Sequence, residues 1–485
     1  MKKAKIITAM TACSIMVSAC GMTEISLKDA SEIYSQGYIN KEKISGIGDP
    51  YLVTENGKYY VTATGDGKGY DIYSSEDLLE WQNEGRIFSS SAKEGWVRSS
   101  LWQPQIVIGN DGKYYLYYCG NNDDNSLRIG VAIADAITGP YKDALDHPLL
   151  PYDYATIDPN LFVDDDGRMY LYFSKDCSEN IVDGYHTSQL HVVEMANYTS
   201  VKEGSEPLLV LTPDQEWELG NGQWRWNEGP DILKHDGRYY LFYSGGCYAD
   251  ATYSIGYAVS DTPMGPFIKY ENNPVIASTD RVSGPGNNSY FHTLDGKELF
   301  TCYHTHTVKL IAGGNRKVTI DRCGFREDGS FYINGPTTTY QTPVSGQGSF
   351  IRHEPVSVAA SGTEEGRSEK ALVDGETLNS RNQYLHEWRA PKSDDVSAEF
   401  DFGEKKSLDC IYIYGSSDKE YEVKGFDIIF DDGIIKNVSV LAGVEEPLVL
   451  CFDKVETSKV RIVPKDYGDA RGFGLSEVLF YDTGR

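Results

Sequence analysis

A turn dipeptide between strand-forming residues recurs five times, and this repeat restricts the fold more than any other feature of the chain. The copies are Asn56-Gly57-Lys58-Tyr59-Tyr60-Val61, Asp111-Gly112-Lys113-Tyr114-Tyr115-Leu116, Asp166-Gly167-Arg168-Met169-Tyr170-Leu171, Asp236-Gly237-Arg238-Tyr239-Tyr240-Leu241 and a weaker Asp295-Gly296-Lys297-Glu298-Leu299-Phe300. Asn-Gly or Asp-Gly between β-formers is the strongest short-range hairpin signal. The glycines fall 55, 55, 70 and 59 residues apart. A second strand pair follows most copies, as in Leu127 to Ala134 and Tyr253 to Ser260, and Gly139-Pro140-Tyr141 and Gly265-Pro266-Phe267 close it. About four strands per unit is the content of a propeller blade. Residues 45–345 therefore read as a five-bladed β-propeller.

After Gln341 the repeat is gone. Thr337 to Gly348 is rich in Thr, Ser and Gly and reads as a connection. Beyond it, alternating patterns such as Ser397 to Phe402 and Cys410 to Tyr414 fit one compact β-sandwich of the jelly-roll kind over 346–485. The expectation is an all-β chain of two domains.

The N-terminus has a different character. Met1-Lys2-Lys3-Ala4-Lys5 is basic, and Ile6 to Val17 is apolar but too short to span a bilayer. Val17-Ser18-Ala19 then places small residues before Cys20. That is the layout of a secretory signal, and it resembles a bacterial lipobox. It implies a signal peptide over 1–20, lipidation and membrane attachment at Cys20, and a linker over 21–44. The expected location is the periplasm or the cell surface of a bacterium.

A formal charge of -27 argues against nucleic acid, whose phosphates need a basic footprint. A neutral partner is the simpler expectation. Setting aside Cys13 and Cys20, seven of the nine cysteines remain. An odd number gives no disulfide framework. Cys119, Cys247 and Cys302 sit in apolar strand patterns and read as small core fillers.

Three acids share one setting. Asp49 in Gly48-Asp49-Pro50-Tyr51, Asp158 in Ile157-Asp158-Pro159-Asn160 and Glu228 in Asn227-Glu228-Gly229-Pro230 each precede a hairpin of a different blade. Innermost strands line the axis of a propeller, so their first residues meet at one mouth. Taken singly, Asp-Pro and Glu-Gly-Pro are turn formers. Three at corresponding places deliver three carboxylates to one funnel. Glycosidic cleavage needs one acid to protonate the leaving oxygen and one carboxylate to activate water or attack. A third acid nearby raises the proton affinity of its neighbour.

These motifs together resemble glycoside hydrolase family 43, over residues 45 to 330. Supporting pieces are Trp102-Gln103-Pro104-Gln105, Gly284-Pro285-Gly286-Asn287-Asn288-Ser289 and Tyr303-His304-Thr305-His306. The resemblance implies an inverting hydrolase with Asp49 as general base, Glu228 as general acid and Asp158 as the group that orients the acid and tunes its pKa. It places Trp102 and His304 at the sugar; Tyr51, Asn288 and Arg322 are further candidates, and the insert Trp217 to Trp226 before Glu228 offers Trp224 or Trp226 to stack on a sugar face. His304 resembles a channel histidine that holds water or calcium, and a satisfied core histidine is the competing reading. For Trp102, Trp226 and Arg322 the competing roles are packing, loop stapling and pairing with an acid. No cofactor is implied for the chemistry. Gln103, Gln105 and Asn287 depart from the residues usual in the family, which puts the substrate in doubt.

Residues 353 to 485 resemble the factor 5/8 type C, or discoidin-like, sandwich. The carrying pieces are Leu372-Val373-Asp374-Gly375-Glu376-Thr377, Phe400-Asp401-Phe402-Gly403 and Gly474 to Tyr481. The resemblance implies a structural calcium at Asp374 and Glu477, and glycan binding through Trp388 and Tyr384. An architectural domain is the alternative.

The reading is a monomeric, exo-acting α-L-arabinofuranosidase or β-xylosidase on oligo- or polysaccharide. A β-galactofuranosidase or exo-galactanase of the same family is one alternative. A retaining hydrolase of the invertase type, whose motifs fit less well, is another. A non-catalytic glycan-binding lipoprotein is the third.

Overall fold

The computed structural model describes residues 22–41, 44–90, 95–220, 222–377, 386–439 and 443–485. Residues 1–21, including Cys20, and Tyr384 lie outside the described residues. The chain divides into two units, Asn40–Gly324 and a second made of residues up to Ile39 together with Phe325–Arg485. Among the described residues no helix is long and apolar enough to cross a membrane.

The Asn40–Gly324 unit is the propeller. Blade 1 is Gly48–Glu55, Lys58–Thr64, Gly69–Ser75 and Gln82–Ser89. Blade 2 is Ser99–Ile108, Tyr114–Asn121, Leu127–Ala134 and Lys142–Asp143. Blade 3 is Thr156–Val163, Met169–Lys175, Tyr185–Asn197 and Leu208–Leu211, and blade 4 is Trp224–His235, Arg238–Gly245, Ser254–Ser260 and Ile268–Lys269. Blade 5 brings Gly286–His292, Leu299–Val308 and Ile311–Phe325. Within each blade, sequential strands pair antiparallel. The predicted hairpins fall between the first and second strands. Asn56-Gly57 and Asp236-Gly237 are two-residue turns with both residues at positive φ, as a twisted hairpin requires. In blades 2, 3 and 5 the turn is longer, and of its Asp-Gly pair only the glycine takes positive φ.

Tyrosines dominate the packing between blades. Tyr70, Tyr117, Tyr118, Tyr170, Tyr172, Tyr240, Tyr243 and Tyr257 are essentially fully buried. Many hydroxyls find a partner, as buried phenols must: Tyr117 donates to Tyr198 O at 2.6 Å and Tyr243 to Glu218 Oε1 at 2.6 Å. The ring closes through the segment before blade 1. Ser45 bridges Lys317 of blade 5, and the Asn40 side chain donates to Ile320 O while accepting from Ile320 N.

One departure from the regular pattern stands between blades 3 and 4. Trp224–Trp226 pair in parallel with His186–Ser188, which fuses the two blades into one sheet.

The second unit is a β-sandwich built on two long strands, Ala398–Gly415 and Leu448–Asp466. Trp388, Phe400, Phe402, Ile411, Ile413, Phe426, Phe473 and Phe480 fill its core. Part of the stretch expected to be a linker belongs here. Thr23–Glu24 pair in parallel with Gly433 and Ile434, and Leu27–Lys28 pair with Phe452 and Cys451. The helix Ser31–Tyr34 buries Ile33 against Cys410, Tyr412 and Cys451. The short alternation in 23–34 was too brief to read as strand. Cys410 and Cys451 face each other across neighbouring strands with sulfurs 3.8 Å apart. Trp388, expected as an exposed sugar platform, is fully buried and donates from Nε1 to Thr363 Oγ1 at 3.0 Å.

Candidate active site

The same local distortion opens the innermost strand of every blade. Pairing slips between Gly48 and Tyr51, Trp102 and Gln105, Ile157 and Asn160, Glu228 and Asp231, and Gly286 and Ser289. In each slip one residue takes positive φ: Asp49 at 51°, Gln103 at 36°, Asp158 at 58°, Gly229 at 59° and Asn287 at 52°. A β-bulge re-aims a side chain, and non-glycine residues in this region carry strain that functional sites tolerate. The proline that follows in four blades cannot donate to the ladder, so it fits a place where pairing is already broken. Five-fold repetition of one bulge thus gathers Asp49, Gln103, Asp158 and Asn287 around the axis. Glu228 sits one residue earlier, in the position held by Trp102 in blade 2.

Below them lies a second polar ring that ties the blades together. Gln105 accepts from Leu161 N at 2.6 Å and donates to Tyr51 Oη at 3.3 Å. Asn160 donates to Asp231 Oδ1 at 2.7 Å, and Asp231 Oδ2 accepts from Tyr290 N at 3.1 Å. Ser289 Oγ accepts from Leu52 N at 3.1 Å. Tyr51, expected at the sugar, is therefore a member of this ring.

Asp49 is gripped by a cation. Arg316, on the third strand of blade 5, donates from Nη1 to Asp49 Oδ1 at 2.7 Å. Burial alone would raise the Asp49 carboxyl, but the Arg316 guanidinium and His304 outweigh it and hold the carboxyl well below the usual range. His304 Nδ1 accepts from Asp49 N at 3.1 Å and lies 3.3 Å from Asp49 Oδ1. Gly48 is required by this contact, because a Cβ there would lie 2.1 Å from Arg316 Cζ.

Glu228 has the opposite environment. Its nearest partner is the Tyr253 hydroxyl, which donates to Oε1 at 2.9 Å. Burial pushes the Glu228 carboxyl up to about 8, and the negative charges of Asp176 and Asp49 add to this. Tyr253 stacks on the His304 ring at 5.5 Å and 11°, which links the surroundings of the two carboxylates. It passes so close to Gly286 that a Cβ there would meet its ring at 2.0 Å.

Asp158 is buried and accepts from Gly229 N at 3.0 Å and from Ser174 Oγ at 3.5 Å. One amide atom of Gln103 lies 2.7 Å from Asp158 Oδ1 and 2.6 Å from the Asn287 amide; with its NH2 turned this way it donates to Asp158. Burial and the Glu228 charge raise the Asp158 carboxyl, so the two acids titrate together. The Gly229 N–H and the Gln103 amide favour ionised Asp158, whereas Glu228 has the Tyr253 hydroxyl; the proton that burial retains belongs to the pair.

The remaining expected residues divide. Trp102 is at the rim, 38% exposed, with its carbonyl accepting from Tyr70 Oη at 2.9 Å. Asn288 is buried with both amide atoms lacking a hydrogen-bond partner. Trp226 is half-buried and stacks beside Trp224. Arg322 is not brought to the acids; it pairs with Glu298 at 2.8 Å. The cation at Asp49 is Arg316, in a stretch (Gly314-Asn315-Arg316-Lys317) that gave no cue. Tyr253 and Asp176 were likewise not singled out.

Two metal expectations can be compared with their donors. His304 Nδ1 faces both the Asp49 N–H at 3.1 Å and Asp49 Oδ1 at 3.3 Å, so either ring tautomer has a partner on that side. The buried Nε2 has no partner. A ring nitrogen there suits a water or a sugar hydroxyl, whereas calcium takes oxygen ligands. In the sandwich, Glu477 is fully buried; Oε2 accepts from Gly375 N at 3.1 Å while Oε1 has no hydrogen bond and faces Arg352 Nη2 at 3.9 Å. The nearby charge of Asp374 raises it further. A carboxylate oxygen without a hydrogen bond, beside a second acid, fits a hard cation. Glu376 and His386 lie close to Asp374 as well, but Glu376 is engaged by Arg326 at 2.5 and 2.7 Å.

Comparison with known proteins agrees with this geometry. The model of glycosyl hydrolases family 43 matches residues 45–331, and that of the F5/8 type C domain matches residues 357–479. A thermostable family-43 glycoside hydrolase of known structure is 41% identical, with a TM-score of 0.61, covering 64% of this chain and 100% of that one. A β-D-galactofuranosidase of Aspergillus niger is 28% identical over 298 residues, 58% of this chain and 80% of that protein. An extracellular exo-α-(1→5)-L-arabinofuranosidase of Streptomyces avermitilis is 24% identical over 316 residues, 61% of this chain and 63% of that protein. Five bulges that bring a carboxyl held by Arg316 and two acids of raised proton affinity to one axis, in a chain matched by that family model across its whole propeller, place this protein among the glycosyl hydrolases of family 43.

Proposed function

We propose that the propeller removes single sugars from glycan side chains by inversion. Asp49 draws a proton from the attacking water, Glu228 gives its proton to the leaving oxygen, and Asp158 holds Glu228 in place. The observation that carries this is the contrast between the two carboxyls: Arg316 keeps Asp49 ionised, while burial and like charge keep Glu228 protonated. Inversion needs an acid and a base on opposite faces of the sugar, roughly 6.5–9.5 Å apart, to admit the water. An unpaired acid facing a cation-paired base suits that division better than a covalent nucleophile.

The substrate is a neutral glycan ending in arabinofuranose, xylose or galactofuranose. The relatives named above favour a furanoside, and arabinofuranose is the first choice. The enzyme works as a monomer, exported behind the segment ending at Cys20 and held to the membrane through that residue. The sandwich binds glycan, with calcium at Asp374 and Glu477 fixing its loop.

The test is initial rates on aryl α-L-arabinofuranosides, β-D-xylosides and β-D-galactofuranosides, with Asp49→Asn as control. Turnover of one substrate, lost in the variant, supports the reading and names the sugar. A folded protein silent on the whole panel and on branched polymers would leave a glycan-binding role in its place.

A further inference from the structure

The strand that carries Glu228 begins outside the funnel. Along an extended strand alternate residues share a face, so Trp224, Trp226 and Glu228 lie on one side of Trp224–His235. Arg225 confirms the alternation, because it is held on the other side over the Tyr185 ring at 3.5 Å. At about 3.3 Å per residue, Trp226 and Trp224 stand roughly 7 and 13 Å from Glu228 along the strand.

These rings are fixed before any ligand arrives. The parallel pairing of His186 with Trp224 and Ser188 with Trp226 anchors the segment to blade 3. His186 stacks on Trp224 at 4.1 Å and 16°, and the His186 ring is held by a 2.9 Å hydrogen bond between Nδ1 and Cys177 O. Trp226 continues the row at 6.4 Å and 13° from Trp224. Although His186 shields one face of Trp224, that side chain remains 39% exposed. With Trp226 parallel beside it, the exposed Trp224 makes a row of indole surface at the start of the strand that solvent reaches.

We propose that Trp224 and Trp226, backed by His186, form the binding surface for the leaving-group side of the substrate and take at least one neutral sugar unit beyond the scissile bond. This rests on the reading of Glu228 as the general acid. The acid must touch the leaving oxygen, while the attacking water enters from the side of Asp49. Rings that extend outward from Glu228 on its own strand face therefore meet the departing chain, not the sugar being transferred to water. An indole face suits the C–H face of a sugar ring, and it needs no charge on the ligand. The second ring along the strand turns a single-sugar site into one that rewards longer chains.

The experiment compares two substrates with the same terminal sugar: its aryl glycoside and its linear tetrasaccharide. The ratio of kcat/KM for the tetrasaccharide to that for the aryl glycoside is expected to fall about tenfold in Trp224→Ala, through KM. Trp224→Phe should restore most of it. An unchanged ratio, with both substrates losing equally, would overturn the proposal and leave Trp224 as a strap between blades. Binding is read separately, from quenching of tryptophan fluorescence by the tetrasaccharide in Glu228→Gln. Quenching that weakens when Trp224→Ala is added supports the proposal. If the wild type turns over neither substrate but the tetrasaccharide still binds through Trp224, the hydrolase reading has failed and the leaving-group assignment falls with it.

Discussion

The propeller and the sandwich are both all-β, yet they fill their centres in opposite ways. The sandwich core is apolar, from Leu372 and Trp388 to Phe480. Along the propeller axis stand Gln103, Asp158, Asn287, His304 and Asp231, all buried. Repetition explains the difference. Five strands meeting at an axis leave a channel too narrow for large apolar layers and too wide to close on backbone alone. Polar side chains that bond to the next blade, as Gln105 and Asp231 do, close it instead. The two faces of a sandwich have no such axis, and its buried charges are met in local pairs, such as Arg389 with Glu387 and Arg326 with Glu376. The lesson is that buried charge in the propeller is a product of symmetry, and one blade's departure from symmetry (Glu228 before its bulge) makes that charge useful.

The strongest way to break this comparison is to neutralise one axial acid. Asp49→Asn and Glu228→Gln should each lower kcat by a factor of about 10²–10⁴, the range for a lost general acid or base, with the fold retained by circular dichroism. If instead Glu228→Gln kept wild-type kcat, the division of roles would be wrong. The counterpart in the sandwich is Trp388→Ala. It should destabilise that unit by about 3–5 kcal/mol, as large buried truncations do, in a denaturant melt, while hydrolysis of aryl glycosides stays at the wild-type rate. A loss of sugar binding without a loss of stability would restore Trp388 as a surface platform.

The axis should also be legible in pH. Glu228 acts while protonated, so kcat/KM should fall as pH rises through about 8. Asp49 stays ionised far below neutrality, so the acidic limb should lie low. Arg316→Ala should move that limb upward, because burial then acts on Asp49 unopposed. Stability follows the same group in the reverse sense. A carboxyl raised from 4.5 to about 8 on folding makes the native state bind more protons across that interval. Stability is therefore lost as pH climbs from about 4.5 towards 8. Glu228→Gln should melt higher than the wild type at pH 8 and show little difference at pH 4. An equal difference at both values would put the effect in packing.

Much of this was readable in the chain. Asn56-Gly57 and its four relatives set the hairpins, and the Asp-Pro and Glu-Gly-Pro motifs marked the bulges. The rest involved partners distant in sequence. Arg316 reaches Asp49 across 267 residues, and nothing near it signals a charge aimed at the axis. Arg322, six residues on, was the arginine singled out, but it lies about 20 Å further along the same strand and meets Glu298. Trp388 looked like a surface aromatic because sequence does not distinguish a loop tip from the start of a core strand. Residues 23–28 were read as linker because two-residue strands carry no period of their own; their pairing depends on Gly433 and Phe452, supplied some 400 residues later.

The smallest expected effect separates the two charged clusters by what they bind. The acids on the axis are balanced by Arg316, by the Gly229 N–H and by the proton that Glu228 and Asp158 retain as a pair. Glu477 accepts from the Gly375 N–H, and its Oε1 has no hydrogen-bond partner, with Arg352 Nη2 3.9 Å away. Crowding by the chain and the Glu376 charge raise the Asp374 carboxyl although its side chain reaches solvent, so a cation here would compete with protons. Calcium added to chelator-treated protein should therefore raise the melting temperature of the sandwich by a few degrees and release protons, with no change in kcat on aryl glycosides. Glu477→Gln should abolish both responses. A calcium response that survives in Glu477→Gln and instead alters kcat would move the ion to the propeller axis, and the contrast between a charge-balanced channel and a cation-seeking loop would not stand.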